Sequence, residues 1–161
     1  MNIDVSKLEI NKVNAEDISE LIRYRIEYLT EMQGGRDEVY LNKLESEMTT
    51  FFKKSISEGS FFGLVATIES EIVAYGGMVI RHIPGDFNNS VYCEADILNM
   101  YTIPHARKKG VSGQILLRLI KEAKSMGITK LCLHTSVDGE NLYRSAGFRD
   151  PVFPYLELPL I

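Results

Sequence analysis

The sequence predicts a mixed α/β domain: a central, mostly antiparallel sheet with one parallel strand pair, flanked by helices. Three observations predict it. Apolar residues recur at helical spacing in two stretches near the start and again between residues 111 and 126. Between them lie three runs rich in β-branched and aromatic residues, joined by short polar connections, which read as antiparallel strands. In the second half a long strand, a helix and another strand follow one another, and a βαβ unit of this kind requires a parallel contact. A chain of 161 residues fits one domain over 1–161.

The elements follow in order. Ile3, Val5, Leu8, Ile10 and Val13 alternate loosely with polar residues and predict a first strand. Asn14 and Asp17 resemble a helix cap, after which Ile18, Leu21, Ile22, Ile26 and Leu29 form one stripe, broken by Gly34 and Gly35. Leu41, Leu44, Met48, Phe51, Phe52 and Ile56 form the next stripe, closed by Gly59. Strands are expected at 61–68, 72–83 and 91–103, with the first turn at 69–71 and a loop at 84–90. Gly76-Gly77 inside the second of these strands marks a bulge. A helix over 111–126, a buried strand over 129–135 and a short helix over 138–146 come next. The apolar tail, 153–161, reads as a last extended segment that completes the sheet or pairs with a second copy, making a homodimer.

Hydrophobic residues make up 45% and charged residues 25%, a globular mix that excludes disordered, collagen-like and coiled-coil classes. A net charge of -4 argues against a nucleic-acid partner and mildly favours cationic acceptors. Cys93 and Cys132 lie in apolar runs without metal-ligand spacing, and His82 and His105 lack ligand partners, so no metal is expected. Met1 to Ile10 carries Asp4 and Glu9 with no apolar leader, and no stretch is long enough to span a membrane. A cytoplasmic location without a membrane partner is the expectation.

The chemistry concentrates in Asn99 to Gly113, NMYTIPHARKKGVSG. A strand ends at Pro104, and Arg107, Lys108, Lys109 and Gly110 lead straight into a helix. Helix starts present unpaired N–H groups and favour anions, phosphate above all. The spacing fits neither a nucleotide-triphosphate loop nor a dinucleotide fingerprint. It does resemble the acyl-CoA motif of the GCN5-related N-acetyltransferase (GNAT) superfamily. That pattern is Arg or Gln, two residues, Gly, one residue, then Gly or Ala, and here Ser112 takes the last position. Asn141-Leu142-Tyr143-Arg144-Ser145-Ala146-Gly147-Phe148 resembles the closing segment of the same family.

The resemblance implies acetyl-CoA as co-substrate and transfer of acetyl to a primary amine, on a small molecule or peptide, by direct attack in a ternary complex. It implies a strand pair that splays apart, here 91–103 and 129–135, with the thioester in the gap. Main-chain groups of Met100, Tyr101 and Thr102 would pair with the pantetheine arm. Lys108, Lys109, Gly110, Val111, Ser112 and Gly113 would hold the pyrophosphate, with Arg107 adding charge and Asn141 a further contact. Tyr143 would protonate the leaving thiolate, or else pack beneath CoA. Glu94 and Asp96, two apart on one strand face, would supply the base, or else pair with Arg81. His134 is either a proton relay or a structural histidine, and Tyr24, Tyr28 and Tyr40 sit on helices that line the acceptor cleft. The rival readings are a non-catalytic acyl-CoA sensor and a transferase for another acyl chain or an alcohol, set by the gap near Ile97 and Leu133.

Overall fold

The computed structural model describes residues 4–160. A 3-10 turn at Val5–Lys7 precedes strand β1 (Glu9–Lys12); helices α1 (Ile18–Gln33) and α2 (Glu38–Glu58) follow. Strands β2 (Phe61–Ile68), β3 (Glu71–Pro84) and β4 (Val91–Thr102) lead to α3 (Val111–Ser125), β5 (Lys130–Cys132) and α4 (Glu140–Ser145). The strands lie side by side in chain order; β1 to β4 are antiparallel, and β5 is parallel to β4. No helix among the described residues is long and apolar enough to cross a membrane.

Local chemistry accounts for the boundaries. Asn14 and Asp17 form a capping box ahead of α1, and the Asp37 carboxylate accepts from Tyr40 N at the start of α2. Gly59 ends α2 at φ 72°, a left-handed position that glycine takes without steric cost. Glu69 and Ser70, both at positive φ, make the two-residue turn between β2 and β3.

Helices cover both faces of the sheet. On one, Phe52 of α2 meets Phe61 at 5.0 Å, and Tyr24 of α1 meets Tyr75 at 6.0 Å. On the other, Ile115, Leu116 and Leu119 of α3 are fully buried over β3 and β4. Gly76 makes that approach possible: a Cβ there would stand 2.9 Å from Ile115 Cγ2 and closer still to the Met100 thioether.

Four expectations change. The buried strand expected over 129–135 is only Lys130–Cys132, with one residue exposed and two half-buried. The first strand is shorter than the pattern suggested, because residues 5–7 form a turn capped by Asp4; Ile3 lies outside the described residues. The tail is not a sheet strand. Pro151, Pro154 and Pro159 each lack the N–H that a ladder needs, and residues 151–160 stay exposed. The bulge near Gly76-Gly77 belongs to the neighbouring strand. Tyr75 pairs with Tyr101 but Gly77 with Leu98, so Gly76 alone faces both Asn99 and Met100. Asn99 takes φ 54°, a conformation asparagine tolerates better than most residues.

Gly76→Val should overpack the α3–β3 contact and destabilise the fold by about 1–3 kcal/mol. A lower denaturant midpoint at unchanged slope is the expected readout.

Candidate functional site

The site begins where two strands part. β4 and β5 pair over three positions only, Glu94 with Lys130, Ala95 with Leu131 and Asp96 with Cys132. β4 then runs on to Thr102 with no strand on its β5 side. Into this opening the fold sets a cavity of about 150 Å³. Ile97, Asn99 and Met100 line it from β4, and His134 and Ser136 from the chain beyond β5. Tyr28 of α1 reaches it, as do Ser112 of α3 and Leu142 and Tyr143 of α4.

The turn into α3 forms one end. Gly110 takes φ 82° at the N-cap, and no side chain caps the helix. The first amide to bond back is Gln114, to the Gly110 carbonyl at 3.1 Å, so the N–H groups of Val111, Ser112 and Gly113 stay available. Lys108 also has positive φ, at 59°. Consecutive amides so arranged make an anion-binding concavity at the positive end of the helix. The Ser112 hydroxyl lies 2.8 Å from that of Thr102, which ties the first turn of α3 to the end of β4.

Arg107 braces this turn. Its Nε donates to the Thr102 carbonyl at 2.8 Å, its Nη2 donates to Glu31 of α1 at 2.6 Å, and its guanidinium lies over the Tyr101 ring. The hydrogen bond from Arg107 holds the Glu31 carboxyl below its ordinary value. Lys108 is exposed, Lys109 partly buried and Val111 packed in the core.

Tyr143 is partly buried, and its ring meets Phe148 edge-on at 5.9 Å. Burial pushes its phenol above the ordinary value, with the neighbouring Tyr28 adding to the rise. The group therefore keeps its proton at neutral pH. Asn141, two residues earlier, is exposed on α4.

Glu94 and Asp96 share a face of β4 as their spacing requires, but neither lines the cavity. Lys130 Nζ stands 2.6 Å from one Glu94 oxygen and Arg81 Nη2 3.3 Å from the other; Arg81 also binds Asp96. Burial alone would raise the Glu94 carboxyl, yet the hydrogen bonds from Lys130 and Arg81 outweigh it and hold the value below the ordinary range. His134 sits at the exposed rim, its ring 6.3 Å from Tyr155. Among the described residues no set of three His, Cys, Asp or Glu comes together for a metal.

The structure thus gathers Met100, Ser112 and Tyr143 at one cavity and sets Tyr101, Thr102 and the 107–113 turn beside it. Ser136 and Gly139 also line it and were not singled out in the sequence, while Asn99 opened the quoted segment without a role and Tyr28 lay on a helix expected to line the acceptor cleft. An asparagine amid an apolar strand was the available signal for Asn99.

A model of the acetyltransferase (GNAT) domain family matches residues 58–150, and the chain belongs to this family. Among solved structures, a predicted acetyltransferase of Clostridium acetobutylicum with acetyl-CoA is 29% identical, with a TM-score of 0.83 over 95% of this chain and 96% of that one. A GCN5-related N-acetyltransferase of Ralstonia eutropha shares the fold at 22% identity and a TM-score of 0.77, covering 94% of this chain and 98% of that one. Glucosamine-6-phosphate N-acetyltransferase of Arabidopsis thaliana shares it at 19% and 0.67, covering 94% and 97%. The search of curated proteins returned no match.

Glu94→Gln should remove part of the ion-pair cluster and cost about 1–3 kcal/mol at neutral pH. A carboxyl held low in the folded state adds stability above its unfolded value and loses it as pH falls through the folded one. The difference between Glu94→Gln and the parent should therefore shrink below about pH 4.5, as followed by denaturant melts across pH.

Proposed function

We propose that this protein is an acetyl-CoA-dependent N-acetyltransferase acting on a primary amine by direct attack within a ternary complex. One observation carries the reading: the unpaired β4 edge, the uncapped start of α3 and the protonated phenol of Tyr143 surround a single cavity. The residues fit acetyl-CoA on their own chemistry. The free amides at 111–113 suit a pyrophosphate, and the β5 side of β4 from Met100 to Thr102, apart from the Thr102 carbonyl that Arg107 already holds, suits the amide groups of a pantetheine arm.

In the transfer, the amine nitrogen bonds to the acetyl carbon, the carbon–sulfur bond breaks, and the thiolate that leaves takes up a proton. Tyr143 holds such a proton at its hydroxyl. Its raised value keeps it in the acid form at working pH, and general acids of this kind contribute about 10²–10⁴ in rate. Asn99 and Met100, set outward by the bulge, shape the β4 wall. For the proton that the amine must lose, the geometry favours solvent over Glu94, since that carboxylate already binds two cations away from the cavity. In this reading Glu94→Gln leaves the pH–rate profile unchanged.

Tyr143→Phe keeps the ring and its packing. It should lower kcat by about 10²–10⁴ while the acetyl-CoA Kd stays within about twofold. An unchanged kcat with chemistry rate-limiting would leave the tyrosine a packing role only.

Gly110→Val should act on binding instead. A β-branched residue at φ 82° is strained, which moves the amides of the turn. Calorimetry on the folded variant should show acetyl-CoA affinity reduced about tenfold or more, equivalent to about 1.4 kcal/mol.

A further inference from the structure

Helix α1 brings a cation beside the cavity, one hydrogen bond behind the lining residue Asn99, and no anion among the described residues pairs with it. Of the eight arginines, seven are exposed and Arg25 is partly buried. Buried cations are ordinarily paired. Yet among the described residues Arg25 has no ion-pair partner, and the acidic residues near it on α1 are already engaged. Glu27 lies 3.1 Å from Arg23, and Glu31 lies 2.6 Å from Arg107. Arg25 donates through Nη1 to the side-chain oxygen of Asn99, a neutral group. Asn99 lines the cavity, and so does Tyr28, three residues along α1 and thus on the same side of the helix as Arg25.

A second polar group nearby is short of a partner. Tyr75 is 1% exposed, and its hydroxyl has no hydrogen-bond partner among the described residues. Its ring packs against those of Tyr24 and Tyr101. Tyr24, by contrast, donates to the Ile72 carbonyl at 2.8 Å. Arg25 is the main charge acting on the Tyr75 phenol, opposing the rise that burial causes. A guanidinium offers five donors and no acceptor. Behind the lining residues Tyr28 and Asn99, the α1 side of the cavity therefore holds a guanidinium with no carboxylate partner among the described residues.

We infer that the acceptor is an amine carrying its own anionic group, a carboxylate or a phosphate, and that Arg25, steadied by Asn99, binds that group on the α1 side of the cavity. The inference rests on the acetyltransferase reading and narrows its substrate class. The net charge of -4 does not oppose it, because the field inside a cavity is set by the unpaired charges that face it.

The test compares matched acceptors with acetyl-CoA. Amino acids are set against their amides and their decarboxylated amines, and amino-sugar phosphates against the free amino sugars. The anionic member of a pair should be preferred about tenfold or more in kcat/KM, and the favoured pair tells carboxylate from phosphate. Arg25→Gln should erase that preference mainly through KM, and Arg25→Lys, which keeps the charge, should restore part of it. Equal or better use of the uncharged members by the parent enzyme overturns the inference and leaves the transferase reading standing. Calorimetry of the same compounds on the CoA complex separates the reverse case. Anion binding that Arg25→Gln abolishes, without transfer to any amine, supports the anion site and overturns the transferase reading. Neither binding nor transfer of any anionic member overturns the inference.

Discussion

Beyond Asp96 and Cys132 strand β4 has no paired strand on its β5 side among the described residues, and main-chain groups at such an edge need a partner from elsewhere. The cavity, the loop into α3 and the position of Tyr143 all follow from that parting. A continuous pairing of the two strands would fill the space that Ile97, Met100 and Tyr143 now line. The bulge at Asn99 works in the same direction, because an extra residue on β4 bends it and re-aims the side chains that follow.

Charge fixes both ends of the opening. At the closed end, Glu94 lies between Lys130 and Arg81 and binds β5 to β4 and β3. At the far end, Arg107 joins Thr102 to Glu31 and so ties the turn to α1. Carboxylates and a guanidinium that resemble catalytic or phosphate-binding groups thus do much of their work as braces. In the proposed role of the turn, anion binding would rest on main-chain amides, which need Gly110 at its positive φ more than they need the basic side chains.

The sequence carried a good deal of this. Helical stripes in α1, α2 and α3 were legible because burial follows a 3.6-residue period there, with Leu21, Met48 and Leu119 all in the core. The two motifs located the 107–113 turn and Tyr143, since glycine spacing and an aromatic at a fixed offset are local features. What escaped reading depends on partners far along the chain. The pairing of Glu94 with Arg81 is among the sequence readings, but its contact with Lys130 is not, nor is that of Arg107 with Glu31. The bulge fell on Asn99 rather than on Gly76, because glycine there answers the approach of Ile115 and not a kink of its own. The tail has an apolar pattern but also two prolines, with Pro151 just ahead of it, and pattern alone could not say that the prolines would prevail.

Amide hydrogen exchange with and without acetyl-CoA reads the main chain itself. With acetyl-CoA laid along the β4 edge and the start of α3, exchange should slow at Met100 to Thr102 and at Val111 to Gly113, with little change along β1 and β2. Bound acetyl-CoA that left both of those segments unprotected would contradict that placement.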